Sequence, residues 1–417
     1  MSDPKLPALI AFVALLAAAP FAASTAADWL QWRVPSGQNQ VEARQDPLLK
    51  WSDDSNIRWR SRIPGRGFSS PIVIGDLIVL TTAVEEEGSQ WVLALNGADG
   101  AIRWKERIHN VGPLPRMHRK NSGATPTPAS DGQRIYVVFH NTQGLYLSSL
   151  SLDGAVEWQK RIGDYRGEYQ FGYAPSPTIF EETVIIASEY AEGGFLAAFD
   201  LSNGSKVWET PRSDTTSYSS PIVTDLGGRD QIILSGDDEI AAYDPRSGER
   251  LWHVEGSSRA TCGTVVWSEE IVFASGGFPN KETIAVRSDG ESGEVVWKNG
   301  DKSYEQSMIY HEGFLYTFND NGIMICWDAE TGEEKWKERL GGPVSASPLL
   351  IGDLIYATNE RGITFVVRAD PMKFEQLSEN PLGDEGFASI VPYGSSLLIR
   401  SAEVGVDRQE WLYCIGN

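Results

Sequence analysis

A glycine followed four positions later by a tryptophan recurs along this chain, at Gly100/Trp104, Gly154/Trp158, Gly204/Trp208, Gly248/Trp252, Gly293/Trp297 and Gly332/Trp336. Successive tryptophans are about 39 to 54 residues apart, and "DPMKFEQL" supplies a weaker seventh copy with Phe374 in the aromatic position. A second element runs in phase with the first and has eight starts, at Ser69, Thr125, Pro175, Ser219, Cys262, Ser307, Ser345 and Ala388. Each start has small residues, then a turn rich in Gly and Asp, then an alternating apolar strand. Repeats of this size built from strands are blades of a β-propeller.

The small residues have a packing reason, because the innermost strands of eight blades converge on one channel and only Ser, Ala, Gly, Thr and Pro fit there. The tryptophan falls on the outermost strand, where its ring can pack over the glycine turn of a neighbouring blade. The last blade, ending in "EWLYCIGN", has no Gly-x-x-x-Trp element after it, but "NIRWRSRI" (Asn56 to Ile63) has that element's aromatic-basic pattern ahead of the first blade. The expectation is an all-β, eight-bladed propeller of four-stranded antiparallel blades. An N-terminal strand completes the last blade and leaves no open sheet edge. Trp59, Trp104, Trp158, Trp208, Trp252, Trp297 and Trp336 are the structural rings of this scheme. The 41 glycines and 14 tryptophans suit so turn-rich a fold.

The first residues read as a secretory signal peptide, with Lys5, an apolar run from Leu6 to Leu16, and small residues up to a cut near Ala26 or Ala27. An uncleaved membrane anchor is the alternative. No long apolar stretch follows, so no transmembrane span is expected in the mature chain. The domain scheme is therefore a signal at 1–26, an extension at 27–55 and the propeller at 56–417. The chain is expected to be exported, periplasmic or extracellular, and monomeric. Its net charge of −21 repels phosphate backbones and argues against a nucleic-acid partner. Cys262, Cys326 and Cys414 are odd in number and far apart, which fits unpaired thiols within strands.

At "DAETGEEKW" the chain resembles the pyrroloquinoline-quinone-like (PQQ-like) propeller repeat family, over nearly all of the mature chain. That family includes quinoprotein dehydrogenases and the BamB outer-membrane assembly proteins. With "PGRGFSSP" early and "LYCIGN" last, the layout is similar to the exported single-propeller proteins of planctomycete-type bacteria. The resemblance implies the fold strongly and the function weakly. A BamB-like role implies a binding platform without turnover, although the lipid-anchoring cysteine of BamB is missing here. A quinoprotein role would require PQQ with calcium and an Asp base. The adjacent cysteines of quinoprotein alcohol dehydrogenases are absent.

No catalytic or metal-binding constellation is legible. His109, His118, His140, His253 and His311 lack metal spacing, Gly65-Arg66-Gly67 lacks the Lys-Ser/Thr of a phosphate loop, and Glu85-Glu86-Glu87 reads as a solvated loop. Connections from outer to inner strands should gather at one mouth of the channel. That arrangement would collect Arg66, Phe68, His118, Asn121, Tyr169, Gln170, Tyr218, Arg259, Glu305, Gln306 and Glu385. Such a ring could hold a protein, an extended peptide or a small polar ligand. The alternative is a set of ordinary solvated loops. The long basic loop from His109 to Pro128 is the first choice for a contact surface. The expected function is a non-catalytic, exported binding scaffold needing no cofactor, with a PQQ-dependent alcohol or sugar dehydrogenase as the alternative.

Overall fold

The computed structural model describes residues 28–33, 37–212 and 215–416. The expected signal peptide lies outside these residues. The described chain forms eight sheets, each with four antiparallel strands and one extended by a short parallel strand, and no helix. Blades 1 to 7 are consecutive, at 72–110, 129–163, 178–211, 222–255, 266–299, 309–339 and 349–381. Blade 8 takes three strands from 391–415 and its outermost strand from Ile57–Ile63, which pairs antiparallel with Arg408–Ile415. The ring thus closes with the strand that the sequence assigned to it.

The two middle strands of each blade are buried on both faces, as in Leu77–Val84 and Ile323–Asp328, while outer strands such as Glu334–Arg339 lie largely in water, with only Trp336 half-buried. Apolar side chains from facing sheets form the core between neighbours. Ile72, Val79 and Val92 of blade 1, for example, meet Ile135 and Val137 of blade 2. Such interleaving makes each blade depend on the next.

The tryptophans tie blade to blade. In register, Trp104 faces Ala94, Trp208 faces Ala198 and Trp59 faces Cys414, each beside a one-residue bulge. Each ring from Trp59 to Trp297 then covers a glycine of the next blade. A methyl group on Gly100, Gly154, Gly204, Gly248, Gly293 or Gly332 would lie under 3.0 Å from the incoming indole. The indole N–H usually donates to a turn carbonyl, as in Trp104 to Leu152 at 2.8 Å and Trp297 to Ala329 at 2.8 Å. Trp252 donates instead to the Gln231 side chain, also at 2.8 Å.

Blade 7 breaks the pattern in a way the sequence reading missed. Phe374 precedes the outer strand Gln376–Pro381 and packs edge-on against Trp336, at 5.3 Å. It therefore receives a ring rather than supplying one. The register position of the missing tryptophan belongs to Ser378, opposite Val366, and Ser378 donates to the carbonyl of Leu49. Trp51 from the same N-terminal segment is buried nearby. Its backbone N–H donates to Asn380 Oδ1 at 3.0 Å and its ring stacks with Tyr356.

Residues 28–33 and 37–44 cross one end of the channel, and these described residues reach seven of the eight blades. Trp29 exchanges backbone hydrogen bonds with Val73, Leu30 accepts from Ser130, and the Gln31 side chain accepts from Ile179. Gln38 pairs with the backbone of Trp267, Gln40 donates to Tyr310, and Gln40–Val41 runs parallel to Leu349–Ile351. Arg44 completes the circuit at Ser396. Inner strands would otherwise present unpaired edges to the channel. Fully buried Arg33 pins the segment through the carbonyls of Gly37, Gln38 and Met308.

Candidate functional site

The channel is built from alternate residues of eight equivalent segments. One layer is a ring of hydroxyls: Ser70, Thr127, Ser176, Ser220, Thr264, Ser307, Ser347 and Ser389, one per blade. The N–H of Ser70 donates to Thr127 Oγ1, that of Thr127 to Ser176, and that of Ser176 to Ser220, at 3.1, 3.0 and 2.9 Å. The series resumes from Thr264 through Ser307 and Ser347 to Ser389, each step 2.9 Å. Five of these residues precede proline, which cannot donate, so the hydroxyl ring supplies an inter-blade bond where a ladder bond is missing. Size alone does not explain these positions.

Two residues earlier in each segment, on the same side of the extended chain, lies the layer nearer the mouth. It includes Phe68, Tyr218, Cys262, Glu305, Ser345 and Phe387. Together with the ring below, these side chains enclose a cavity of about 230 Å³, to which all eight outer-to-inner connections contribute. Its inner end meets Trp32 of the crossing segment, whose indole donates to Thr264 Oγ1 at 2.9 Å. Aromatic rings make up the bulky part of the lining: Phe68 stacks on Phe387 at 4.3 Å, and Phe171 packs against Tyr218 at 6.0 Å.

The charged lining is one linked group. Lys120 Nζ lies 3.1 Å from Glu305 and 2.7 Å from Glu360, and the Ser345 hydroxyl reaches both carboxylates. Burial raises the Glu305 pKa, with Lys120 and the Ser345 hydroxyl opposing it. Burial alone would lower the Lys120 ammonium, but the two carboxylates outweigh it and hold its pKa above the usual value. Opposite, burial lowers the His118 pKa, and Lys120 and Arg119 add to that effect. Burial holds the Cys262 thiol well above its ordinary pKa, with Glu305 and Asp320 adding to the shift. This environment suppresses the thiolate.

The residues expected at the mouth separate into groups. His118, Asn121, Tyr218 and Glu305 line the cavity, and Asn121 also ties two connections together through the carbonyls of Phe171 and Tyr173. Arg66 stands beside it, over the Phe68 ring and 3.8 Å from Glu85. Tyr169 stacks on Phe171 from outside the lining. Gln170 lies instead in a neighbouring notch of about 180 Å³ with Arg116, His140 and Arg166. Gln306 is buried and donates to the Val344 carbonyl, and Glu385 pairs with Arg408. Arg259 is exposed and outside the cavity lining, and its carbonyl accepts from Asp237. Lys120, Phe171, Tyr304, Phe387 and Trp32 were not singled out from sequence. Counting two residues back from each hydroxyl finds Phe387.

A closed eight-bladed ring with indole-on-glycine joints and one blade shared between distant segments defines a PQQ-like repeat propeller. The chain belongs to the family described as outer membrane protein assembly factor BamB, which matches residues 19–226, 236–303 and 280–371. Among its relatives is the BamB of Yersinia pestis, 24% identical over 253 residues, covering 57% of this chain and 54% of that protein. The serine/threonine-protein kinase AfsK of Streptomyces griseus is 24% identical over 183 residues, 40% of this chain and 21% of that protein. The chain spans about half the length of the first BamB relatives it matches. Among solved structures, BamB from Moraxella catarrhalis superposes with a TM-score of 0.61 at 15% identity, over 85% of this chain and 98% of that one. The quinohemoprotein alcohol dehydrogenase ADHIIG of Pseudomonas putida gives 0.65 at 14% identity, over 93% and 80%. At these identities the likeness is one of fold.

Proposed function

We propose that this protein is an exported, non-catalytic binding scaffold of the cell envelope that works through the mouth of its channel. The observation that carries this reading is the channel's asymmetry. Residues 28–33 and 37–44 cross one end, while connections from all eight blades converge at the other around a cavity of aromatic rings and hydroxyls. A concave, mainly apolar site with a few convergent polar groups is suited to ligand capture. Its relatives named as outer-membrane assembly factors support a place in the envelope and a protein partner, and the concave mouth suits an extended peptide or a small polar ligand.

The quinoprotein alternative fits the lining poorly. A quinone bearing several carboxylates needs cationic partners, yet Lys120 is already bonded to two carboxylates. Among the described residues no group of three or more His, Cys, Asp or Glu side chains is arranged to hold a metal ion. The two readings separate in one experiment. The purified protein is incubated with PQQ and calcium, then assayed for a thermal shift and for dye reduction with alcohols and sugars. No shift and no reduction is expected, and sustained reduction would replace the scaffold reading with a dehydrogenase. Export is tested by fusing residues 1–27 to a phosphatase that is active only outside the cytoplasm.

A further inference from the structure

Two formally charged side chains line the cavity among the described residues, Lys120 and Glu305. They do not balance. Lys120 is shared between Glu305 and Glu360, so the trio carries one carboxylate in excess. Ser345 has a single proton for the same two carboxylates, which leaves the group rich in acceptors. Asp320 stands behind the same wall, where its Oδ2 accepts the Tyr304 N–H at 3.1 Å. His118 adds no compensating charge at neutral pH, since its pKa is lowered. The wall at Tyr304 and Glu305 is therefore electronegative, inside a lining whose other members are largely aromatic rings and hydroxyls.

An anion entering here would face an excess of carboxylate in a partly desolvated space. A cation would complete a two-against-two arrangement with Lys120, Glu305 and Glu360. The aromatic lining supplies contact for an apolar body and favourable ring faces for positive charge. Trp32 at the inner end and a volume of about 230 Å³ limit the guest to a small molecule. We propose that the channel mouth binds a small organic ammonium ion with an aromatic or aliphatic body, its nitrogen beside Glu305 and its body against the ring of Phe68, Phe171 or Phe387. This inference rests on reading the mouth as a ligand site and adds the charge and class of the ligand.

The test is a matched set of probes titrated calorimetrically into the intact protein: 2-phenylethylammonium, 2-phenylethanol and phenylacetate, each up to about 10 mM, where ligands this small are measurable. The cation is expected to bind at least about tenfold more tightly than the other two. Glu305→Gln should remove that preference. Lys120→Met should strengthen cation binding by uncovering negative charge, and circular dichroism with thermal melting establishes that both variants are folded. A neutral or anionic probe binding as well as the cation would overturn the charge assignment while leaving the mouth a ligand site. A cation that weakens in Lys120→Met would also overturn it. Binding by none of the three would overturn both the inference and the small-ligand part of the reading on which it rests.

Discussion

Trp59 rests on the turn of blade 1, its indole nitrogen 2.9 Å from the carbonyl of Gly97, and so joins the last blade to the first. A side chain on Gly100, whose φ is +72°, would collide with the same ring. The ring's closure is thus a strand pairing locked by an indole. Trp59→Ala is expected to destabilise the fold by about 3–5 kcal/mol, as for a buried aromatic replaced by a methyl group. Gly100→Ala should also destabilise it, through both the collision and the left-handed backbone. Trp336 is only partly buried, so Trp336→Ala should cost less. Thermal unfolding of the three variants checks the order, and equal losses for Trp59 and Trp336 would contradict it.

Stability should fall in mildly acidic solution because of two histidines. Burial lowers the pKa of both His109 and His140 to about 4. Between pH 6.5 and about 4 the unfolded chain binds protons that the folded one excludes, so these groups favour the folded state above pH 6.5 and lose that contribution as pH falls through the window. Each contributes a slope of up to about 1.4 kcal/mol per pH unit. Urea unfolding of the wild type and of a His109→Gln/His140→Gln variant between pH 4 and 7 should show a shallower pH dependence in the variant.

Gln38 takes the place of a strand at the inner edge of blade 5, donating to Trp267 O at 2.8 Å and accepting from Trp267 N at 3.3 Å. Gln38→Leu leaves those backbone groups unpaired, at an expected cost of about 1–3 kcal/mol. Loosening should be local. Hydrogen exchange is expected to rise first in residues 37–44 and around Trp267, and uniform acceleration throughout the propeller would contradict this.

Arg400 and Glu410 form a buried pair beneath the first inner strand, with nitrogen–oxygen distances of 2.9 and 2.6 Å. Arg400 also donates to Ser69 and Thr81, and Glu410 accepts from Gly67. Glu410→Leu strands the Arg400 charge and should destabilise by about 3–5 kcal/mol, whereas Arg400→Leu leaves Glu410 paired with Arg408 at 2.6 Å and should cost less. The double variant should lose clearly less than the sum, a coupling that a double-mutant cycle measures.

The blades and their closure were legible because they are written as a covalent period: small residues, a Gly-Asp turn, an alternating strand, then glycine and tryptophan. "NIRWRSRI" could be placed in blade 8 because it copies an outer strand. Residues 28–33 and 37–44 copy nothing, and their partners are backbone edges that exist only once the blades have formed, so no pattern marks their role. Ser378 was opaque for a related reason, since the segment it anchors lies more than 300 residues away in the chain. At the mouth, chain position showed which connections converge but not which side chains turn inward. Glu305 and Gln306 are neighbours, yet one lines the cavity and the other is spent on Val344.

Residues 57–63 come before the first blade in the chain, but their partners extend as far as Ile415. In vectorial synthesis they emerge ahead of every blade and are seated only with the last one. An unfinished copy offers them no sheet to extend, so their exposure is expected to mark the chain as immature. Protection of residues 57–63 against proteolysis is the expected readout of completed assembly.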